Sequence, residues 1–500
     1  MLVGLDIGTT GAKAVVFDDC GTVLSTAFEE YAVVSGPSGK AEQDAEGVWR
    51  RARAVLVRSV ASCGLKSVKA IGISVQGDAV IPIDRAGNAL APALLGMDYR
   101  SANAAKSFAN TFGERKLFNR TGMRPHALNS ITKILYYKEL NPQIFEKAVA
   151  FVTYAEFIAM KLGGQRIIDM SMASRTMAYN LEKSDWDDEL LAFAGITRGM
   201  LGEIRPSGTV IGRLSSDIAR DAGLTGTTMI SSGGHDQCCA ALGAGALSSS
   251  QAVVSTGTAE VFSTCLDRAT TNDGMYRSFF PCYRHVLPDR YFTFSLNHTG
   301  GILLRWFKDT FCQKEVEEAQ RRGMDIYRYL DQTMSRNPQK LFVIPHFNGS
   351  GTPWCDMNAT GAIVGLTLST GIPELYRALL ESQTYELALN LEAFQASGID
   401  IQTISAVGGG SKSSDWLQIK ANVLNRPVRV PVCPESAALG AAILAGCAIG
   451  LWSDVREGAN RMVGFKKEYE PNAEMATMYA GLLEQYRNIY PALKRLREEL

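Results

Sequence analysis

The sequence carries no net charge, since its 51 basic and 51 acidic side chains cancel. A balanced chain lacks the positive field that nucleic-acid binding draws on, so no nucleic-acid partner is expected. It has no C-x-x-C pair. Its ten cysteines are scattered, with Cys238 and Cys239 adjacent, which excludes a zinc framework and a secreted disulfide scaffold and fits a reducing cytoplasm. It has no long apolar run either. The uncharged stretch at residues 437–452 is rich in Gly and Ala and shorter than the roughly 20 residues of a membrane span. It reads as a packed helix, and no membrane partner is expected. No basic n-region or cleavage site precedes the first strand pattern, which also favours a cytoplasmic protein. Low-complexity tracts, coiled-coil repeats and a Walker A loop are all missing.

What is present is an ordinary globular composition, 46% hydrophobic over 500 residues. That is long enough for two to four domains and a large core without staples. Residues 2–7 (LVGLDI) are apolar around one aspartate, Gly8, Thr9 and Thr10 follow, and residues 14–17 are apolar again. Residues 18–21 read as a turn, and Val23 and Leu24 begin a third strand, so the first layer is antiparallel. Helical spacing at 48–60 and a buried strand at 71–75 make this an α/β domain with a mixed sheet. The second half opens similarly. VVSTGTAEVF, from Val253, echoes GLDIGTTGAK, from Gly4, at a distance of about 250 residues. Two such hairpins facing across a cleft would hold both ends of a phosphate chain. The boundary is expected in 242–247 (LGAGAL), a small, flexible stretch suited to a hinge. This gives a first domain of residues 1–244 and a second of 245–500. Pro373, apolar residues at helical spacing from Ala378 to Phe394, and Gly398 mark one long helix.

Four constellations could carry chemistry, and each also has a plain structural reading. In Asp6-Ile7-Gly8-Thr9-Thr10-Gly11, glycine amides and threonine hydroxyls suit phosphate and the aspartate suits Mg²⁺ with its waters. The same residues make an ordinary hairpin with a capping aspartate. Thr256-Gly257-Thr258 has the same double reading. In Gly233-Gly234-His235-Asp236-Gln237, Asp236 follows a strand-like run and precedes a small-residue helix. A carboxylate there can take the proton of a hydroxyl attacking a γ-phosphate, although such an aspartate is more commonly a helix N-cap. Gly408-Gly409-Gly410-Ser411-Lys412-Ser413-Ser414 lets a planar base lie on backbone beside a helix N-terminus, or is a flexible loop. Gln76, Asp78, Asp98 and Arg100 are the convergent donors and acceptors that a hydroxyl-rich ligand needs, or a turn closed by a salt bridge. His235 and His298 read as structural histidines. Trp306, Trp354 and Trp416 read as core or interface fillers, and Cys238 and Cys239 as small buried thiols.

Taken in order, D-I-G-T-T at 6–10, A-E-Q-D at 41–44, G-H-D-Q at 234–237, S-T-G-T at 255–258, G-x-x-x-G-L at 361–366 and G-G-G-S-K-S-S-D-W at 408–416 resemble the FGGY carbohydrate kinases. A helix with Arg377, Ala378 and Glu381 fits the same pattern, and the resemblance covers nearly the whole chain. It implies two ribonuclease-H-like domains of the actin-like ATPase fold, with ATP and a small-molecule sugar in the cleft between them. It also implies that Asp6 helps place Mg²⁺, that Thr9 and Thr10 contact phosphate, and that Asp236 is the catalytic base. Thr256, Gly257 and Thr258 would form the second phosphate loop. Gly300 and Gly301 would lie near the ribose, and Gly409, Gly410 and Ser414 would hold the adenosine. Members are often dimers, so a homodimer is allowed for.

The departures concern the sugar. Gln76-Gly77-Asp78-Ala79 stands where xylulose kinases carry Gln-Met-His-Gly and glycerol kinases Gln-Arg-Glu-Thr, and Q-G-D is similar to some erythritol kinases. Leu128 replaces a tyrosine of glycerol kinases. Asp98 and Arg100 resemble the W-x-D-x-R of xylulose kinases, with Gly96 for the tryptophan, and L-L-R-W-F at 303–307 is also xylulose-kinase-like. The expected substrate, bound by Gln76, Asp78, Asp98, Arg100 and Asp236, is a ketopentose such as xylulose, with an erythritol- or glycerol-like polyol as runner-up. The rivals are a catalytically silent nucleotide-binding sensor and a chaperone- or actin-like ATPase. The retained Asp6 and Asp236 argue against the first, and the lack of a legible appendage argues against the second.

Overall fold

A computed structural model describes residues 1–499. The chain opens with β1 (Leu2–Ile7), β2 (Gly11–Phe17) and β3 (Val23–Glu30), an antiparallel meander in which Leu2 faces Phe17 and Ile7 faces Ala12. Helix α1 (Ala45–Ser62) returns the chain to β4 (Ala70–Val75), which runs parallel to β1 and is buried along its whole length. After α2 (Ser130–Leu140) and α3 (Met170–Arg175), strand β5 (Met229–His235) pairs parallel to β4 and leads directly into α4 (Asp236–Gly243). The spatial order is β5-β4-β1-β2-β3, with Val210–Arg213 as an antiparallel edge on β5.

The second half repeats this plan. Strands β6 (Gln251–Thr256), β7 (Glu260–Leu266) and β8 (Tyr291–Asn297) form the meander. Helices α5 (Gly301–Phe311) and α6 (Ile372–Ala396) precede β9 (Thr403–Gly408), which is parallel to β6. Helix α7 (Ser414–Leu424) then leads to β10 (Val428–Pro431). The order β8-β7-β6-β9-β10 is the order of the first sheet again, with Tyr283–Arg284 and Phe465–Tyr469 as added edges. The echo between the two Gly/Thr hairpins is therefore a repeat of topology. In both sheets the hairpin loop lies at the carboxyl end of a parallel pair, where open α/β sheets bind ligands.

The final crossing helix, α8 (Ser436–Ala448), belongs to the second half by sequence but packs on the first sheet. Its alanines and glycines allow backbone-to-backbone contact. A Cβ on Gly4 or on Gly72 would fall 1.9 Å from the carbonyl oxygen of Ala438 or Ala441, and one on Gly440 would fall 1.9 Å from that of Cys239 in α4. The stretch 437–452 is thus a packed helix as far as Ala448, with a turn after it. Among the described residues no helix is long and apolar enough to cross a membrane.

Two expectations need correction. The stretch 242–247 is not loose: Leu242 through Ala246 are buried, and Gly245 lies under Phe465 and Val463. Its small residues serve close packing. Trp416 is buried, but Trp306 is 36% exposed on the outer face of α5, with its ring tilted against that of Phe347 at 4.6 Å, because α5 turns that face away from the sheet. The long helix is as expected. Pro373 sits in the first turn of α6, Glu374 accepts from the Gly371 amide at 3.0 Å, and Gly398 has a φ of +85° just beyond the C-cap. The ten cysteines are all free thiols, and Cys238 and Cys239 are buried.

Candidate active site

The first Gly/Thr loop is held from behind. Tyr31 Oη and Gln76 Nε2 donate to the Gly8 carbonyl at 2.6 and 3.3 Å, and Gln43 Nε2 donates to that of Thr9 at 2.5 Å. Among the described residues no protein group bonds the Thr9 and Thr10 hydroxyls, and Thr10 is exposed. Asp6, at the end of β1, accepts from Ser74 on β4 at 2.7 Å. From β2, Lys13 pairs with Glu435, just before α8, at 2.6 Å.

The second loop is anchored differently. Thr256 turns its hydroxyl inward and donates to Glu260 at 2.6 Å, and Lys420 from α7 is bonded to the same carboxylate. Both ionic partners are fully buried. That leaves Gly257 and Thr258 exposed at the rim. The Gly300 amide donates to Thr258 O at 2.9 Å and that of Gly301 to Gly257 O at 2.7 Å, which seats the start of α5 on the loop. A Cβ on Gly300 would fall 2.7 Å from Ala259, and one on Gly410 would fall 2.7 Å from Thr256 Cβ. Gly257, Thr258, Gly300, Gly301, Gly409 and Gly410 thus form one glycine-floored surface. Ser414 stands at the first position of α7, exposed beside it, with Ser413 as the N-cap. This cradle, which side chains would fill, fits a nucleotide.

Asp236 is the first residue of α4, and the N-cap position is taken by His235. Its carboxylate keeps 26% of its area open and lies 3.3 Å from His235 Nε2. Burial, and then the negative charge of Asp6, push the Asp236 carboxyl up to about 7. Burial raises Asp6 to about 6, with Ser74 and Lys13 opposing. Burial thus raises two carboxyls from sequence motifs far apart, and the charge of Asp6 raises Asp236 further. No group of three or more His, Cys, Asp or Glu forms a closed metal cage among the described residues. Two carboxylates beside a phosphate cradle instead fit Mg²⁺, which keeps its waters and phosphate oxygens as ligands.

The sugar-side residues divide. Gln76 is buried, and it also donates to Gln43 at 3.1 Å. Asp78 adopts a φ of +69° and accepts from Arg175 Nη2 at 2.5 Å, with both side chains buried. Arg175 and Asp78 both act on the charge of Asp236. Asp98 and Arg100, in contrast, are engaged with each other and with Glu42, through contacts of 2.6 Å from Arg100 Nη2, and Asp98 also accepts the Ala41 amide at 2.9 Å. They form the ion-paired turn that the sequence also allowed.

Several residues here were not singled out by sequence reasoning: Lys13, Tyr31, Ser74, Arg175, Lys133 and Lys420. Lys133 is fully buried. It donates to the Ala127 and Leu128 carbonyls at 2.8 and 2.5 Å, and burial pushes it down to about 8. The three departures in the sugar-side motifs meet in one place, because a Cβ on Gly96 would lie 3.2 Å from Leu128 and 3.5 Å from Asp78. His235 is structural: burial holds its ring neutral, and Nδ1 lies 3.2 Å from Tyr283 Oη. His298 Nδ1 lies 3.1 Å from the Asn348 carbonyl.

The N-terminal domain of the FGGY family of carbohydrate kinases matches residues 1–243, and its C-terminal domain matches residues 252–449. The chain is 30% identical to a gluconokinase of Bacillus subtilis, over 98% of this chain and 95% of the relative. It is 29% identical to an autoinducer-2 kinase of Klebsiella pneumoniae, over 98% and 93%. The crystal structure of a ligand-bound xylulose kinase from Lactobacillus acidophilus superposes with a TM-score of 0.87 at 25% identity, covering 98% of each chain. The architecture is the two-domain α/β fold of the actin-like ATPases. With both family domains matched in order and a relative at this identity aligned from end to end, the chain belongs to the FGGY family of carbohydrate kinases, enzymes that bind ATP and phosphorylate sugars.

Proposed function

We propose that this enzyme transfers the γ-phosphoryl group of ATP to a terminal hydroxyl of a small sugar, a ketopentose such as xylulose, with Asp236 as general base. One observation carries the reading. Asp236 is partly open and raised to about 7 beside Asp6, at the carboxyl end of the first sheet. A base poised near neutrality takes a hydroxyl proton most effectively at cellular pH. MgATP bound between the loops would supply the phosphoryl group and the divalent charge that offsets the two carboxylates.

The chain's own residues do the rest. Asp236 accepts the proton of the attacking hydroxyl and becomes a neutral acid, relieving its repulsion with Asp6. Thr9, Thr10, Gly257 and Thr258 donate hydrogen bonds to the phosphate oxygens. Gly300, Gly301, Gly409, Gly410 and Ser414 receive the nucleoside, and approach of the two lobes excludes water. Gln76 and Asp78 hold the sugar, and Asp98 and Arg100 brace the wall beside it. The Asp78 carboxylate beside Gly96 and Leu128 supports a second reading, an erythritol- or glycerol-like polyol.

The test is Asp236→Ala, assayed by ADP release with ATP and a panel of ketoses and polyols. Turnover is expected to fall by about two to four decades. Activity within threefold of the parent would place the base elsewhere.

A further inference from the structure

The glycine floor of the second lobe comes from three separate pieces of chain, and one buried polar row joins their roots. Gly408, Thr256, Glu260 and Asn297 are direct neighbours across β9, β6, β7 and β8. Residues paired in this way send their side chains to one face of the sheet. The row stands where the strands meet the floor. Gly408 runs on into Gly409 and Gly410, Thr256 into Gly257 and Thr258, and Asn297 reaches Gly300 and Gly301 a few residues later. Behind the row, Lys420 of α7 donates to Thr256 Oγ1 at 3.3 Å and is ion-paired with Glu260. Asn390 of α6 donates to Asn297 Oδ1 at 3.4 Å and to the Thr352 carbonyl at 2.9 Å. Thr256, Glu260, Asn297, Asn390 and Lys420 are all buried. Exchanging a buried ion pair for apolar side chains of similar volume is often neutral or stabilising, so stability alone does not account for a glutamate and a lysine here. Their geometry does. A threonine hydroxyl has one proton to donate, and that of Thr256 goes to Glu260 at 2.6 Å, which fixes the side chain of the residue that enters the loop.

We propose that Glu260 is a positioning residue for phosphoryl transfer, which through Thr256 sets the second phosphate loop before the nucleotide arrives. Glu260 touches neither nucleotide nor sugar. It accepts from Thr256 and pairs with Lys420, and Lys420 donates to Thr256 as well, so the three side chains close a ring of contacts. The ion pair cancels its own charge, and its effect on the nucleotide is therefore one of shape and not of field. With the loop ordered in advance, the triphosphate does not have to order it on binding. The row belongs to the second sheet, whereas Asp236, Gln76 and Asp78 stand on the first lobe, so Glu260 acts on the nucleotide side of the reaction. The inference rests on the reading of residues 257–258 as a phosphate loop.

The test compares two variants that remove the ion pair alike. Lys420→Met/Glu260→Gln keeps an oxygen that accepts from Thr256, and Lys420→Met/Glu260→Leu does not. Titration calorimetry reads the binding of two ligands, the non-hydrolysable ATP analogue AMPPNP with Mg²⁺, and AMP. In the leucine variant the Kd for AMPPNP is expected to rise about tenfold, the cost of ordering one backbone residue on binding, while the Kd for AMP stays within about threefold. In the glutamine variant both constants are expected to stay within about threefold of the unaltered protein. An unchanged AMPPNP Kd in the leucine variant, equal losses for AMPPNP and AMP, or a glutamine variant as impaired as the leucine one overturns the inference and leaves the kinase reading intact. Should the leucine variant show no cooperative melt, Thr256→Val, which keeps the ion pair and removes the hydroxyl, decides by the same two constants. An unaltered protein that binds AMP as tightly as AMPPNP overturns the phosphate-loop reading itself, and this inference with it.

Discussion

Asp236→Asn should cost activity and add stability, and the second effect has a predictable pH dependence. The folded protein raises this carboxyl from its ordinary 3.8 to about 7, through burial and then Asp6. A raised folded value means that the protonated form is favoured in the fold. Its contribution to stability is present at low pH and is lost as pH rises through about 7. A tenfold change in a protonation equilibrium corresponds to about 1.4 kcal/mol, so the charged form carries a penalty of about 1.5 kcal/mol at pH 5 and about 4 kcal/mol at pH 8.5. Asparagine keeps the shape and never ionises, so the variant escapes this penalty. For a chain of 500 residues, the entropy of unfolding near the melt is about 1 kcal/mol/K. The melting temperature should therefore rise by about 1–2 °C at pH 5 and about 4 °C at pH 8.5. Scanning calorimetry of the nucleotide-free protein at the two pH values measures both. A gain that is zero, or equal at the two pH values, refutes the claim that the site holds this charge against its preference.

Two other residues test the surroundings of that charge. The positive charge of Lys13 lowers Asp6, so in the nucleotide-free protein Lys13→Ala should move the titration of the Asp6 carboxyl upward by about half a pH unit, read by carboxyl NMR; an unmoved titration removes Lys13 from the electrostatics of the site. Lys420→Met strands Glu260 as an unpaired buried charge beneath the second phosphate loop, and should lower stability by about 3–5 kcal/mol. Adding Glu260→Gln should recover most of that loss, and a melt unaffected by the single change would mean that the pair contributes nothing.

The hairpins were legible in the sequence because they depend on local rules. Short apolar runs at 2–7 and 14–17, with glycine and threonine between them, specify strand, turn and strand. The caps of α6 were legible for the same reason, since proline and glycine act on their own backbone. What lay hidden was tertiary. Gly96, Leu128 and Asp78 are separate departures along the chain, and only folding brings them to one spot. Arg175 carries no local signal, because its partners come from residue 78 and from the rings at 283 and 294. Thr256 shows the opposite failure. Its place in a Gly/Thr loop suggests a phosphate donor, whereas Glu260 and Lys420 draw its hydroxyl inward. Charge spacing in Asp98-x-Arg100 allowed either a ligand site or an ion-paired turn, and the third partner of that turn, Glu42, lies on a strand about 55 residues earlier.

The packing of α8 explains how the fold keeps a carboxylate pair in so unfavourable a place. Asp236 opens α4, whose Cys239 carbonyl and Gly243 lie against the backbone of α8, where a Cβ on Gly243 would fall 1.9 Å from the Ser436 carbonyl. Helix α8 in turn rests on Gly4 and Gly72, in the two strands that carry Asp6 and its partner Ser74. Just before α8, Glu435 binds Lys13. Asp6, Lys13 and Asp236 therefore belong to one close-packed block with almost no side-chain volume at its contacts, and interiors packed this way do not deform gradually. The glycine floor at 257–258, 300–301 and 409–410 hangs on the other sheet. The block holds the spacing of Asp6 and Asp236, and with it the raised basicity, independently of how the glycine floor is placed.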